Sequence, residues 1–435
     1  MKYLAFFCCL LSLPVMVVAG TLPPLVVPQG LGLNINFVSN SGHDLDIIRD
    51  NGARAVRMDF FWRGIEKEKG VYTFTGYDQM TDALLARGIR PLYILDYGNP
   101  LYAQDGSVRT EECRQAFARF AAAAALHFKG KPILWELWNE PNITTWKPAP
   151  SAAEYTELAK TTIPAMRKAD PQVTVMAGAT SLVDLPFLEE CFRHGLLPLV
   201  DAISVHPYRL FPPETLENDI TRLRALIARY SPQHPDIPII SSEWGYSTVK
   251  ISYDDVDMVR QGQYFPRVYL MSLSLRIPVS VWFKWKDDGT NPNDPEHHFG
   301  TLLPDFRPKP SYQAAQQLVT ALNGMHFVKR LPSAPEDYLF VFTNDTAYTL
   351  AIWTTGKTHT LDILPGKRIE ITGDPQYLPV PLDAAQTLAE AAWSVDVKTP
   401  FVMCGGNAKG LAPEFAVNVR NPFNKPVPVT VRVLD

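Results

Sequence analysis

Two short runs each end an apolar stretch on a carboxylate. One reads Ile133-Leu134-Trp135-Glu136-Leu137-Trp138-Asn139-Glu140-Pro141-Asn142, the other Ile239-Ile240-Ser241-Ser242-Glu243-Trp244-Gly245-Tyr246. Two carboxyl groups that meet can share a reaction between them. One, protonated, donates to a departing oxygen, while the other, ionised, acts on the carbon from the opposite side. Cleavage of an acetal between sugars makes this demand. A single buried glutamate is more often a structural ion-pair partner; two that finish separate strands favour chemistry.

For the acids to meet, their strands must end at one mouth. Short apolar or β-branched runs alternate with amphipathic segments from Leu31 to Met325, giving strand candidates at 31–37, 54–61, 90–97, 133–139, 174–179, 202–208, 238–244 and 279–285. Helical stretches follow each, and Gly88, Gly130 and Asp170-Pro171 stand where helices over 77–87, 111–128 and 152–169 should stop. Eight β-α units predict an α/β fold, a TIM (β/α)8 barrel over 20–326, with functional groups at the carboxyl ends of its strands. No glycine-rich phosphate fingerprint follows the first strand, which argues against an open dinucleotide-binding sheet. Beyond Gly324 short alternating strands predict a small C-terminal β-sandwich over 327–435, with strands near 338–343, 348–354, 368–372, 415–419 and 427–433 and a helical turn over 387–393.

Other residues fall at the same mouth. Glu136 lies on the Glu140 face of its strand and reads as structural; Arg57, inward on strand two, is its partner or the support of Glu243. Trp62, Trp244, Trp282 and Trp285 are candidate sugar platforms, Trp285 being preferred as nearest the mouth. Asp96, Tyr97, Asn99 and Tyr102 follow strand three, where they either bind sugar hydroxyls or fix the loop. Asp287, Asp288, Asn291, Asn293 and Asp294 lack EF-hand spacing and read as a polar turn, so neither metal nor cofactor is expected.

Trp138-Asn139-Glu140-Pro141 resembles the Asn-Glu-Pro signature of clan A glycoside hydrolases, in which the acid/base glutamate follows asparagine on strand four and a nucleophilic glutamate ends strand seven. Within the clan, the run from Ala55 to Trp62, then Ile65-Glu66, Gly70, Tyr72, Phe74, Tyr77-Asp78 and the run from Ile94 to Tyr102, is similar to family 39, closest to its PslG-type branch that cuts bacterial exopolysaccharide. The resemblance implies Glu140 as acid/base and Glu243 as nucleophile, with retention of configuration and the two carboxyls about 5–5.5 Å apart. It further implies that Arg57 supports the nucleophile, that Asn139 binds the sugar 2-hydroxyl, and that His206 and Tyr208 orient the nucleophile and line the subsite. Glu243, ionised, should also raise the pKa of Glu140.

Composition narrows the partners. Forty-one basic against forty-five acidic residues leave a net charge of -4, with no basic field for nucleic acid. Lys2, an apolar run over 4–18 and the small residues before Gly20 read as a secretory signal peptide cut after Ala19, placing a soluble, monomeric protein in the periplasm or outside the cell. No later segment is apolar for long enough to span a bilayer. The mature chain keeps Cys113, Cys191 and Cys404, either with a Cys113–Cys191 bridge or as three buried thiols. Three activities stay open on sequence: an endo-acting hydrolase of a β-linked polysaccharide, an exo-acting glycosidase such as a β-xylosidase, and a barrel that binds carbohydrate without turnover.

Overall fold

The computed structural model describes residues 21–38, 42–249, 256–364, 367–380, 394–397 and 417–420, the last two stretches as backbone. The expected signal peptide, Cys404, the helical turn over 387–393 and the strand over 427–433 lie outside the described residues.

Eight parallel strands close into a barrel in sequence order: β1 Leu31–Asn34, β2 Ala55–Phe61, β3 Arg90–Asp96, β4 Leu134–Leu137, β5 Thr174–Ser181, β6 Ala202–His206, β7 Ile239–Trp244 and β8 Ser280–Trp282. Ala55, Leu92, Leu134, Met176, Ala202, Ile240, Val279 and Val281 meet inside it. The outward residues bury themselves beneath eight helices, α1 His43–Asp50, α2 Thr75–Leu85, α3 Glu111–His127, α4 Ala152–Ala169, α5 Leu185–Arg193, α6 Leu216–Tyr230, α7 Met258–Ser274 and α8 Pro310–Leu322. Burial on both faces is why these strands read as nearly unbroken apolar runs. Helix starts are chemically marked: the side chains of Thr110, Ser151, Asp184 and Asp257 accept from backbone N–H groups in the first turns of α3, α4, α5 and α7. Among the described residues no helix is long and apolar enough to cross a membrane. Cys113 and Cys191 are separate buried thiols, not a disulfide; burial pushes their pKa values up to about 11 and about 12.

Two strand ends depart from the sequence expectation in ways that matter to the site. β4 stops at Leu137 rather than Asn139 because Trp138 and Glu140 take left-handed backbone, with φ of 65° and 51°. Such angles are sparsely populated by residues with a Cβ and break the ladder while turning the chain outward. In β7 three steps, Ser241 to Trp244, face two steps of β8, Ser280 to Trp282. That extra residue is a bulge, and it rotates Glu243 toward the barrel axis although Ile240 already points there.

The C-terminal part begins with β9 His326–Arg330, β10 Asp337–Thr343 and β11 Tyr348–Thr354, continues through the hairpin β12 His359–Leu364 and β13 Lys367–Ile371, and returns in β14 Gln376–Val380 to complete the antiparallel sheet β9-β10-β11-β14. β15 Ser394–Val397 and β16 Val417–Arg420 form a further antiparallel pair. The sheet serves two cores by strand alternation. Leu339, Val341, Leu350 and Ile352 pack with Ile363 and Ile371 of the hairpin, whereas Phe340, Phe342, Ala351 and Trp353 join the core shared with the barrel.

A buried ion pair secures this junction. Arg267 of α7 donates from Nε and Nη2 to the two oxygens of Glu214, each at 2.7 Å, and Trp353 Nε1 donates to Glu214 Oε1 at 2.7 Å. Their side chains are almost wholly enclosed, so removing one partner strands the other without water. Glu214→Ala is expected to destabilise the protein by about 3–5 kcal/mol, read as a fall in the midpoint of urea unfolding.

Candidate functional site

The site is built from Arg57 outward. Alternation along β2 sends its side chain into the barrel, where it is 1% exposed. A guanidinium has five N–H donors, and all five find acceptors. Nε donates to Glu136 Oε2 at 2.7 Å; Nη1 donates to Glu243 Oε2 in an ion pair and to Asn34 Oδ1 at 3.3 Å; Nη2 donates to Asn139 Oδ1 at 2.8 Å and to His206 Nε2 at 3.1 Å. The two alternatives for Arg57, partner of Glu136 and support of Glu243, are thus filled together. Burial alone would lower its pKa, but Glu136 and Glu243 more than reverse that. Glu136, fully buried on β4, is likewise penalised by burial, and the charge of Arg57 holds it below the ordinary carboxylate range.

Arginine only donates, so the contact with Nη2 makes His206 Nε2 an acceptor and leaves the ring proton on Nδ1. That N–H reaches Glu140 Oε1 at 3.1 Å. Here the structure corrects an expectation: His206, at the end of β6 and fully buried, orients Glu140 and not Glu243. Glu243 is held instead by Tyr208, whose hydroxyl donates to Oε1 at 2.9 Å. Burial and the Glu243 charge push the Tyr208 phenol well up, so it remains a donor. Both oxygens of Glu243 therefore carry a donor, while 15% of its side chain stays open.

Glu140 follows the left-handed turn after β4. Its N–H donates to Ala179 O at 2.9 Å, and the chain beyond is tied down where Asn142 Oδ1 accepts from Ser181 N at 2.8 Å. Its side chain is 16% exposed. The expected upward shift of its pKa is corrected for the free protein. Burial does raise it, but the hydrogen bond from His206, a further one with Ser181 and the charge of Arg57 outweigh this and lower it.

Asn139 is fixed at both ends of its amide, accepting from Arg57 and donating from Nδ2 to Tyr97 Oη at 3.0 Å. One Nδ2 hydrogen stays available to a ligand. Tyr97 alone of the four residues after β3 reaches this network. Asn99 donates to the Glu66 carbonyl at 2.9 Å, and Tyr102 donates to Glu66 Oε1 at 2.6 Å while stacking on Trp62. Asp96 is completely buried, so direct contact with a sugar is ruled out. Burial and the adjoining carboxyl of Asp59 push its pKa far up. Its oxygens find no hydrogen-bond donor among the described residues.

The indole platforms are a second correction. Trp62, Trp244 and Trp282 are 0–2% exposed and belong to the core. Trp285 is 4% exposed, set edge-on to Phe37 and Phe306, and offers no open face. In the loop after β8, Asp287 is taken by Lys309 at 3.1 Å and Asp288 by Lys284. Asn34 is the contributor that sequence reasoning missed; its only signal was a polar residue closing the apolar run of strand one.

The structure thus gathers Glu140, Glu243, Arg57, Asn139, His206 and Tyr208 at the carboxyl ends of the strands and leaves Asp96 and Trp285 behind them. Fold and site take the form that the sequence resemblance to clan A glycoside hydrolases implied. The chain belongs to the cellulase family, glycosyl hydrolase family 5, whose model matches residues 29–287. Its relatives include a β-xylosidase of Geobacillus stearothermophilus, 27% identical over 43% of this chain and 44% of that one. A β-xylosidase of Caldicellulosiruptor saccharolyticus is 23% identical over 58% and 57% of the two chains. The chain thus spans about half the length of the curated relatives it matches. The family 39 likeness has its counterpart in the solved structure of a family 39 glycoside hydrolase from Bacteroides cellulosilyticus, with a TM-score of 0.72 at 24% identity, covering 82% of this chain and 81% of that one. A monomeric β-xylosidase of Caulobacter crescentus shares the fold at a TM-score of 0.59 and 19% identity, over 79% and 80% of the chains.

Removing the donor on Nδ1 removes the group that favours the charged form of Glu140. In His206→Ala the Glu140 titration midpoint, followed by carboxyl carbon NMR in the free protein, is expected to move to higher pH. An unchanged or lower midpoint would show that His206 does not set it.

Proposed function

We propose that the protein is an exported, monomeric, retaining glycoside hydrolase that cuts within β-linked polysaccharide chains, with Glu243 as nucleophile and Glu140 as acid/base. The observation that carries this reading is the unequal treatment of the two acids. Glu243 accepts from Arg57 and Tyr208, an environment that orients a carboxylate through both of its oxygens. Glu140 is met by the Nδ1 side of the His206 ring and keeps part of its side chain open to solvent.

In the first step Glu243 forms a bond to the anomeric carbon as the bond to the leaving oxygen breaks, and the proton of Glu140 passes to that oxygen. Substrate covering the open edge of Glu140 removes water from it, and loss of water raises the pKa of a carboxyl. Proton donation is thereby prepared by binding. In the second step Glu140 takes a proton from water, whose oxygen displaces Glu243 and restores the original configuration. The free Nδ2 hydrogen of Asn139 serves the 2-hydroxyl.

Endo action is supported by two hollows that adjoin the site: one of about 480 Å3 along Tyr97, the partner of Asn139, the other of about 230 Å3 along Tyr208, the partner of Glu243. The exopolysaccharide preference rests on the motif resemblance and the leader segment. A second reading, exo-acting β-xylosidase, is favoured by the names of the curated relatives. Product size from a defined hexasaccharide separates them: internal cuts give products of two or more units from the outset, exo action releases single sugars.

Glu243→Gln is expected to abolish turnover on every substrate, as an amide neither attacks carbon nor balances the developing charge. A folded variant with wild-type rate would overturn the nucleophile. Glu140→Ala should harm poor leaving groups far more than an activated aryl glycoside and respond to azide with a product of retained configuration, whereas Glu243→Ala with azide gives the inverted one. Proton NMR of the anomeric products decides, and exchanged outcomes would reverse the two assignments. The pH profiles carry a further sign: because Glu140 is lowered in the free protein and desolvated in the complex, the basic limb of kcat should lie at higher pH than that of kcat/KM.

A further inference from the structure

The loop after β6 leaves apolar side chains in solvent, Leu210 43% and Phe211 65% exposed. Its backbone is nevertheless well held. Tyr246 donates its hydroxyl to Phe211 O at 2.8 Å, and Arg209 donates to Thr215 Oγ1 at 3.1 Å while lying over Trp244. Just beyond, Glu214 is locked to Arg267 and Trp353. Phe211 is thus an exposed ring on a fixed support.

Leu210 lines two hollows. The smaller begins at Tyr208, the phenol that donates to Glu243. The larger, about 570 Å3, runs between this loop, α7 and the β domain, with Phe211 and Pro212 on one side, Gln263 and Tyr264 along the floor, and Thr354, Thr355 and Gly356 opposite.

We propose that this larger groove is a distal binding site for the polysaccharide, in which Phe211 stacks on a sugar ring beyond those at the scissile bond and the β domain forms the facing wall. The proposal rests on the glycoside hydrolase reading above. The shared wall residue Leu210 makes this groove the neighbour of the hollow that contains Tyr208, so its occupant is the onward run of the chain being cut. The chemistry of the walls agrees: the exposed ring of Phe211 for sugar C–H groups, with the amide of Gln263, threonine hydroxyls and the guanidinium groups of Arg260 and Arg267 for sugar hydroxyls. A stable protein partner would need about 800 Å² of matching surface, whereas this groove is concave and narrow. Placing Thr354 to Gly356 in the wall also gives the β domain a part in substrate capture.

The test uses the full chain carrying Glu243→Gln, which binds without turnover, in native gels containing xylan, glucomannan or a bacterial β-linked exopolysaccharide. At least one polymer is expected to retard it, and adding Phe211→Ala or Thr355→Trp should weaken that retardation about fivefold, the scale of one lost ring stack. In the active protein the same two substitutions should lower the ratio of kcat/KM for the polymer to that for an aryl glycoside. No retardation by any polymer, or retardation unchanged in both variants, overturns the groove. Loss of polymer binding in a protein that hydrolyses no glycoside leaves the groove standing and overturns the enzymatic reading. Hydrolysis of aryl glycosides with polymer binding undiminished in both variants does the reverse.

Discussion

A single guanidinium organises the mouth of this barrel. Arg57 is buried, charged and completely satisfied, with acceptors drawn from β1, β4, β6, β7 and the turn that precedes Glu140. A charge so far from water is tolerable only when every donor is met. Five strands or strand ends must therefore keep their heights and rotations, because a slip at any of them would leave part of the ion unpaired. The same demand makes the acids unlike. Glu136 balances the arginine from below, Glu243 is held at both oxygens by Arg57 and Tyr208, and Glu140 has no direct contact with the guanidinium but meets His206, which does.

Much of the scaffold was legible because it depends on local periodicity. Eight apolar runs, their spacing and the glycines after the helices were enough to predict the barrel, and the two terminal glutamates pointed to its mouth. Legibility failed where a decision belongs to neighbours in space. Alternation along β2 says that Arg57 points inward, but not that one side chain serves Glu136 and Glu243 at once. His206 could be placed at a strand end, yet its two nitrogens face Arg57 and Glu140, and only the geometry reveals which acid it serves. The tryptophans failed for another reason: whether an indole at a strand end is a platform or a core residue depends on the loops above it, as Phe37 and Phe306 close over Trp285. The bulge in β7 left no pattern of its own, since Ser241-Ser242-Glu243 reads as an ordinary strand until its pairing with β8 is known.

Positive backbone angles at Trp138 and Glu140 sit within the segment that carries Asn139. Such conformations persist where surroundings over-determine them, and here the restraint is visible: Leu95 O accepts from Trp138 N, Ala179 O accepts from Glu140 N, and Asn142 bridges to Ser181. Both β3 and β5 thus contribute to the pose of a side chain carried by the turn after β4.

The alternating faces of β10 and β11 bear on how such a chain can be inherited. A domain with a private core can be lost, duplicated or moved between proteins, because its inner face needs nothing from its host. Here the sheet gives one face to its own hairpin and the other to the barrel, with Trp353 reaching across to Glu214. Such a sheet is an organ rather than a module: transplanted alone it would arrive with half its core unpaired, so descent should have carried barrel and sheet together as one unit.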